Sequence, residues 1–164
     1  MPDPMIRFRG WPIGPVAERS GRMSKEELLG RQRALQRAPM FAGLPKRHLK
    51  SIARMAWLRT NPAGTVLMEQ GTPGSSFIVV LEGDVKVIHN GRTVAWGSAG
   101  DFYGEISLLD PGPRTASVVA ETSVMCLDLA GQDFRMIIGQ EPTLALRLLQ
   151  GLAHRFREAQ PEIG

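Results

Sequence analysis

Phe102-Tyr103-Gly104-Glu105-Ile106-Ser107-Leu108-Leu109-Asp110-Pro111-Gly112-Pro113-Arg114-Thr115-Ala116-Ser117-Val118 is the stretch whose reading decides the rest of this chain. Two aromatics end a strand-like segment. Gly104, having no Cβ, then lets the backbone turn sharply and come close to a ligand. Glu105 to Leu109 is one turn's worth of helix-compatible residues, and Asp110-Pro111-Gly112-Pro113 stops it. The unpaired N–H groups of that turn, Ile106 and Ser107 among them, face an anion-sized gap. Arg114 returns nine residues after Glu105. A guanidinium at that point can clamp a phosphate through two parallel hydrogen bonds, and a carboxylate at the other end can accept from a sugar hydroxyl. The plain alternative is an exposed ion pair worth about 0–1 kcal/mol. Glycine, acid, helix-length spacer and Pro-Arg-Thr-Ala between β-rich flanks argue for the anion site instead.

On both sides of this stretch the hydrophobic pattern has a period of two. Val66 and Met68, Phe77 to Leu81, Val85 to Ile88, Val94 to Trp96, Ser117 to Ala120 and Val124 to Leu127 are the strand candidates, with Gly-, Pro- and Asn-rich turns between them. His89-Asn90-Gly91-Arg92 is a type I′ hairpin signal, because both central residues must accept positive φ. Many short strands at this spacing imply a sandwich or barrel over residues 59–129. Helices flank it. Ser24 and Glu27 form a capping box that opens a helix running to about Ala38, and Pro39 ends it. Leu49, Ile52, Ala53, Ala56 and Trp57 recur at helical spacing, so a second helix is expected from Pro45 through about Leu58. Gly131 to Ile138 reads as a short helix, and Glu141-Pro142 opens a long one with proline at its first position. Leu144, Leu148, Leu149, Leu152 and Phe156 give that helix its apolar face, and Leu146 and Ala153 widen it enough to touch a second chain. The expected organisation is a leader at 1–23, N-terminal helices at 24–58, the β region at 59–129 with the stretch 102–118 inside it, and C-terminal helices at 130–160.

A 3′,5′-cyclic nucleotide carries one phosphate charge and leaves only the 2′-hydroxyl free on its ribose, so one Arg and one acceptor Glu read both features. The run quoted above resembles the phosphate-binding cassette of the cyclic nucleotide-binding domain family, the module shared by the catabolite activator protein, the protein kinase A regulatory subunit and cyclic-nucleotide-gated channels. The resemblance covers about residues 35–160. It implies a mainly β fold, an antiparallel jelly-roll-like β-roll (double-stranded β-helix) with N-terminal helices and a long C-terminal helix that covers the base and often forms a dimer seam. It also implies Glu105 as acceptor of the ribose 2′-hydroxyl and Arg114 as phosphate ligand. Gly104 and the amides of Ile106 and Ser107 would stand beside the phosphate, with Thr115 and Ala116 on its far wall. The base would lie between Val94 on the roll and Arg155 or Gln160 on the last helix. Where the sensor half of the catabolite activator protein has a Thr-Ser pair against adenine, this chain has Ala159 and Gln160, which leaves one amide to read a base edge. Thr115 suits the 2-amino group of guanine as well as the phosphate. cAMP is the ligand expected from the bacterial-type similarity, with cGMP as the alternative.

Composition bounds the other readings. The 164 residues, 43% hydrophobic and 22% charged, make one ordinary globular domain. No run of 18 apolar residues occurs, and the start lacks the apolar core of a signal peptide, so a cytoplasmic protein with no membrane span is expected. The single Cys126 lies in a strand-like run and reads as a buried small hydrophobe. The net charge of +4 sits at the front: residues 1–38 hold eight Lys/Arg against four Asp/Glu, and residues 39–164 hold twelve of each. The domain therefore offers no basic excess to nucleic acid, and no segment is long enough for a helix-turn-helix, so no DNA-binding motif is expected. Residues 1–23, with four prolines and no apolar period, read as a flexible basic leader. Phe8, Trp11 and Ile13 within it are three large apolar side chains able to dock on a neighbouring surface.

Three classes of function stay open at this point. The first is a cyclic nucleotide sensor that relays binding through its terminal helices, alone or as the sensor fragment of a larger transcription regulator. The second is the same fold used as a ligand-free interaction domain. The third is an enzyme, because jelly rolls also house metal-dependent cupins. Cupins cluster their ligands, whereas His48, His89 and His154 fall in three unrelated elements, and no Ser or Cys sits near a base in a motif for covalent chemistry. No enzymatic activity, cofactor or metal is expected. The partners expected are the cyclic nucleotide and either a second copy, through the C-terminal helix, or another protein.

Overall fold

In the computed structural model, which describes residues 23–160, the chain opens with the capping box. Ser24 Oγ accepts from the Glu27 amide at 3.1 Å, and the Glu27 carboxylate accepts from the Ser24 amide at 2.9 Å, which starts helix α1 (Lys25–Arg37). Residues 1–22, nearly all of the expected leader, lie outside the described residues. A 3-10 turn at Pro39–Phe41 drives Met40 and Phe41 into the core. Helix α2 (Lys46–Met55) buries Leu49, Ile52 and Ala53. It ends three residues short of the expected Leu58. Ala56 is extended, and Trp57 and Leu58 belong to strand β1 (Trp57–Asn61). A spacing of four, from Ala53 to Trp57, fits a helical turn and two strand steps equally, which is why the pattern misleads there. The Arg31 guanidinium lies 5.0 Å over the Trp57 ring and donates to the Ala53 and Ala56 carbonyls, closing the end of α2.

Seven further strands follow: β2 (Val66–Met68), β3 (Ser76–Glu82), β4 (Val85–His89), β5 (Arg92–Gly97), β6 (Phe102–Tyr103), β7 (Ser117–Ala120) and β8 (Val124–Ala130). They pair antiparallel into two four-stranded sheets, ordered β1-β8-β3-β6 and β2-β7-β4-β5, which is the expected β-roll. The β4–β5 hairpin turns on Asn90 (φ 50°) and Gly91 (φ 75°). Period-two alternation splits the central strands between two cores. Ile78, Val80, Val85, Val118 and Cys126 fill the roll, while Phe77, Val79, Leu81, Leu127 and Leu129 face the helices. Phe134 of helix α4 (Gly131–Gln140) stacks on Phe77 at 4.5 Å. Burial pushes the Cys126 thiol up to about 12, so it stays protonated and inert at neutral pH.

Helix α5 (Pro142–Ala159) follows Glu141, which caps α4 and pairs with His48 of α2. Arg147 donates to the carbonyls of Pro39 at 3.2 Å and Met40 at 2.8 Å, anchoring the first half of α5 to the 3-10 turn. Leu144 and Leu148 are buried, with Leu152 packed beside them. Leu149 and Phe156, expected on that same face, are instead exposed together with Leu146. The packed face follows the i, i+4 row alone, and the remaining apolar residues turn outward.

Asp128 of β8 is 7% exposed, and its Oδ2 pairs with Arg59 Nε at 3.1 Å while its Oδ1 has no hydrogen-bond partner. Burial pushes its carboxyl from 3.8 up to about 6, with Arg59 opposing. The native state therefore holds a proton that the unfolded chain releases. Stability from this group is fully present below pH 3.8 and is lost as the pH rises through about 6. At roughly 1.4 kcal/mol per pKa unit, Asp128→Asn, which keeps the shape without the charge, is expected to stabilise the protein by about 1–3 kcal/mol at pH 7.5. Near pH 4 it is expected to change little. Urea melts at both pH values check this, and a destabilised variant at pH 7.5 would mean that the Arg59 pair outweighs desolvation.

Candidate functional site

The site is built around helix α3 (Glu105–Leu109), whose N-cap is Gly104 in the left-handed conformation (φ 98°, ψ −5°). A Cβ on Gly104 would lie 2.4 Å from the Ser76 carbonyl oxygen and 2.8 Å from Arg114 Nη1. The chain at Arg114 is pinned in both directions, since its amide donates to Thr72 O and its carbonyl accepts from Gly71 N, each at 2.8 Å. Its side chain is 7% exposed. Nη1 donates to Gly104 O at 3.2 Å, and Nη2 donates to Ser76 O at 2.8 Å and to Ser76 Oγ at 3.3 Å. Burial lowers the pKa of Arg114, with Glu105 opposing, and a guanidinium stays charged in such surroundings. Three of its five N–H donors are engaged in these bonds, and the others are left for a ligand.

Glu105 is 2% exposed. Its Oε1 accepts from Arg155 Nη1 of α5 at 3.2 Å, and its Oε2 has no hydrogen-bond partner. Burial pushes the carboxyl up, against the opposing effects of Arg155, its own backbone amide and Arg114. A buried acceptor atom without a donor is costly, at about 1–3 kcal/mol, and a ligand hydroxyl would relieve it.

Helix α5 is docked against this end. Arg155 lies 4.5 Å over the Phe102 ring and 4.8 Å over the Tyr103 ring, and it also donates to Phe102 O. One turn earlier, a Cβ on Gly151 would stand 2.6 Å from the Phe102 ring, so only glycine lets the helix come this close. Burial, with help from Asp101, pushes the Tyr103 phenol up to about 12.

Between the roll, α3 and α5 lies a cavity of about 750 Å³, within the usual range for small-molecule sites. It brings together nine of the ten residues expected from the sequence: Gly104, Glu105, Ile106, Ser107, Arg114, Thr115, Ala116, Val94 and Arg155. Gln160 is not among its lining residues. It caps α5 one residue beyond Ala159, where the helix has ended, and its side chain is exposed. Met68, Val87, Trp96, Tyr103, His154 and Glu158 also line the cavity and escaped the sequence reading. Met68 and Val87 read simply as core from their alternation. His154 and Glu158 form an exposed i, i+4 pair at 3.3 Å, a spacing that reads as an ordinary solvated helix face.

The β-roll thus buries an arginine and a half-satisfied carboxylate on one wall of a single cavity. Residues 58–141 match the family model for the cyclic nucleotide-binding domain, and the chain belongs to that family. It is 34% identical over 131 residues to the cyclic AMP receptor protein of Thermus thermophilus, covering 77% of this chain and 61% of that protein. It is 38% identical over 107 residues to a cyclic nucleotide-gated potassium channel of Mesorhizobium japonicum, covering 65% of this chain and 30% of the channel. The crystal structure of the Thermus thermophilus catabolite activator protein superposes with a TM-score of 0.66 at 34% identity, over 77% of this chain and 62% of that one. The chain thus spans less than two thirds of the length of these relatives. Among the described residues, no helix is long and apolar enough to cross a membrane.

Proposed function

We propose that this protein is a cytoplasmic sensor that binds a cyclic nucleotide, cAMP in preference to cGMP, without catalysis, and passes the signal on through α5. The observation that carries this reading is the buried Glu105 with one unpartnered oxygen beside the buried, partly free Arg114 on one cavity wall. Arg114 takes the cyclic phosphate, with the first-turn amides at Ile106 and Ser107 beside it. Glu105 takes the ribose 2′-hydroxyl, and the base extends toward Val94, Ala159 and α5. Arg155 joins Glu105 to the helix, so occupation of the cassette alters what holds α5 in place. The outward face of α5 is then the surface that meets a second copy or another protein.

Thermal unfolding with cAMP, cGMP and AMP added separately tests the reading. A ligand that binds only the native state stabilises by about 2.7 kcal/mol at a hundredfold excess over Kd, which raises Tm by roughly 5–10 °C at this size. AMP, with its dianionic phosphate and free 3′-hydroxyl, is expected to give no shift. No shift with either cyclic nucleotide would favour a ligand-free interaction domain.

Thr115 bears on the choice of base, because its hydroxyl follows the phosphate arginine and lines the same cavity. One neutral hydrogen bond is worth about 0.5–1.5 kcal/mol, a factor of roughly two to ten. Thr115→Ala is expected to lower affinity for cGMP more than for cAMP, with cAMP the tighter ligand of both proteins. Calorimetric titrations in which the wild type prefers cGMP, or in which both ligands lose equally, would count against the assignment.

A further inference from the structure

We propose that His89 and Asn90, at the turn between β4 and β5, are positioning residues for Arg114: their side chains hold the two backbone segments that fix it in place. The proposal rests on the reading of Arg114 as the phosphate ligand. The sheets themselves stop short of this arginine. The β4–β7 ladder ends at Ile88 and Ser117, and the β2–β7 ladder ends at Met68 and Val118. Arg114 therefore lies outside both, as do Gly71 and Thr72, whose main chain bonds its carbonyl and its amide.

Side chains take over where the ladders end. His89 donates from Nδ1 to Thr115 O at 2.8 Å, one residue beyond Arg114. Asn90 grips the other segment: its amide N–H donates to Gln70 Oε1 at 2.9 Å, and its Oδ1 accepts from Gln70 Nε2 at 2.8 Å. Gln70 in turn donates its own amide to Ser117 Oγ at 2.8 Å, and Gly71 and Thr72 follow it directly. Asn90 Nδ2 donates to His89 Nε2 at 3.2 Å, which joins the two grips.

The assignments agree with one another. An imidazole with its proton on Nδ1 gives that proton to a carbonyl and keeps a lone pair on Nε2 for the Asn90 amide. Both ends of the Asn90 and Gln70 side-chain amides then meet atoms of the opposite kind. The turn alone does not call for this residue. Asn90 has φ 50°, which glycine adopts as readily in a type I′ turn. What glycine lacks is the amide that joins Gln70 to His89.

The test uses the full chain carrying Asn90→Gly, His89→Asn or His89→Gln, beside the wild type. Asn places its amide where Nδ1 stands and keeps the bond to Thr115 O, whereas the Gln amide stands where Nε2 does and loses it. One net hydrogen bond is worth a factor of roughly two to ten. In ligand-free protein, NMR hydrogen exchange is therefore expected to be at least threefold faster at the Gly71 amide of Asn90→Gly and at the Arg114 amide of His89→Gln. The β3 amides and the urea midpoint are expected to hold. Calorimetry with cAMP is expected to show about three- to tenfold weaker binding by those two variants and near wild-type binding by His89→Asn. Unchanged exchange at both amides, equal affinity in all four proteins, or His89→Gln binding as well as His89→Asn would overturn the proposal. So would a fallen urea midpoint with faster exchange throughout β3, which would make the turn a part of general stability. A wild type that takes up no cyclic nucleotide defeats the phosphate reading instead, and the exchange rates then decide by themselves whether the turn holds Arg114.

Discussion

Arg114→Ala is expected to weaken cyclic nucleotide binding at least tenfold, and nearer a hundredfold, while circular dichroism stays native. Losing a charge-assisted contact to a phosphate removes about 1.5–3 kcal/mol, and among the described residues the other arginine that lines the cavity, Arg155, is committed to Glu105 and the Phe102 carbonyl. The backbone around residue 114 is held by Gly71 and Thr72 through main-chain bonds that the substitution leaves intact, so the loop is expected to keep its place. Arg114→Lys separates charge from geometry. It restores the positive charge but cannot bridge Gly104 O, Ser76 O and a phosphate at once, so its affinity should fall between those of Ala and the wild type. Titration calorimetry on the three proteins decides the matter, and equal affinities would sink the cassette assignment.

How much of this was legible in the sequence depended on the range of the interaction. The cassette was readable because its logic is local. Gly104 turns the chain, Glu105 opens a helix that the prolines close, and Arg114 returns within ten residues. The partner of Glu105 was not readable, since Arg155 lies 50 residues away and reaches it only because α5 is rotated to put Gly151 and Arg155 against Phe102. That same rotation sends Leu144 and Leu148 inward and Leu149 and Phe156 outward, a choice that composition and spacing leave undetermined. Gln160 stands one residue past the end of α5 and outside the cavity lining. At the end of a helix one step turns a side chain by about 100° and carries it past the last wall of the cavity. At Trp57 the ambiguity lay in the pattern itself, because apolar residues four apart satisfy helix and strand alike. Only the pairing of β1 with β8 selects the strand.

Gly104→Ala is expected to destabilise the domain by about 2–4 kcal/mol and, independently of folding, to lower cyclic nucleotide affinity at least tenfold. Two effects add at this position. The first is the left-handed backbone at φ 98°, which an L-residue adopts at a cost of about 1–2 kcal/mol. The second is the space. The new methyl would stand 2.4 Å from Ser76 O and 2.8 Å from both Arg114 Nη1 and Met68 Cε. Met68 can swing aside, but Ser76 O is backbone of a central-sheet strand, so the cassette must retreat from β3 and Arg114 must give up its bond to Gly104 O. That retreat shifts the phosphate ligand away from Glu105, which is why binding is expected to suffer beyond the loss of stability. Gly91→Ala supplies the control, since Gly91 has a similar φ of 75° with nothing within 4 Å of the added Cβ. It is expected to cost about 1–2 kcal/mol of strain alone and to leave affinity unchanged. Urea melts and calorimetry on both variants test the argument. A Gly104→Ala protein that binds like the wild type would show that the close approach of residue 104 to Ser76 and Arg114 does not shape the site.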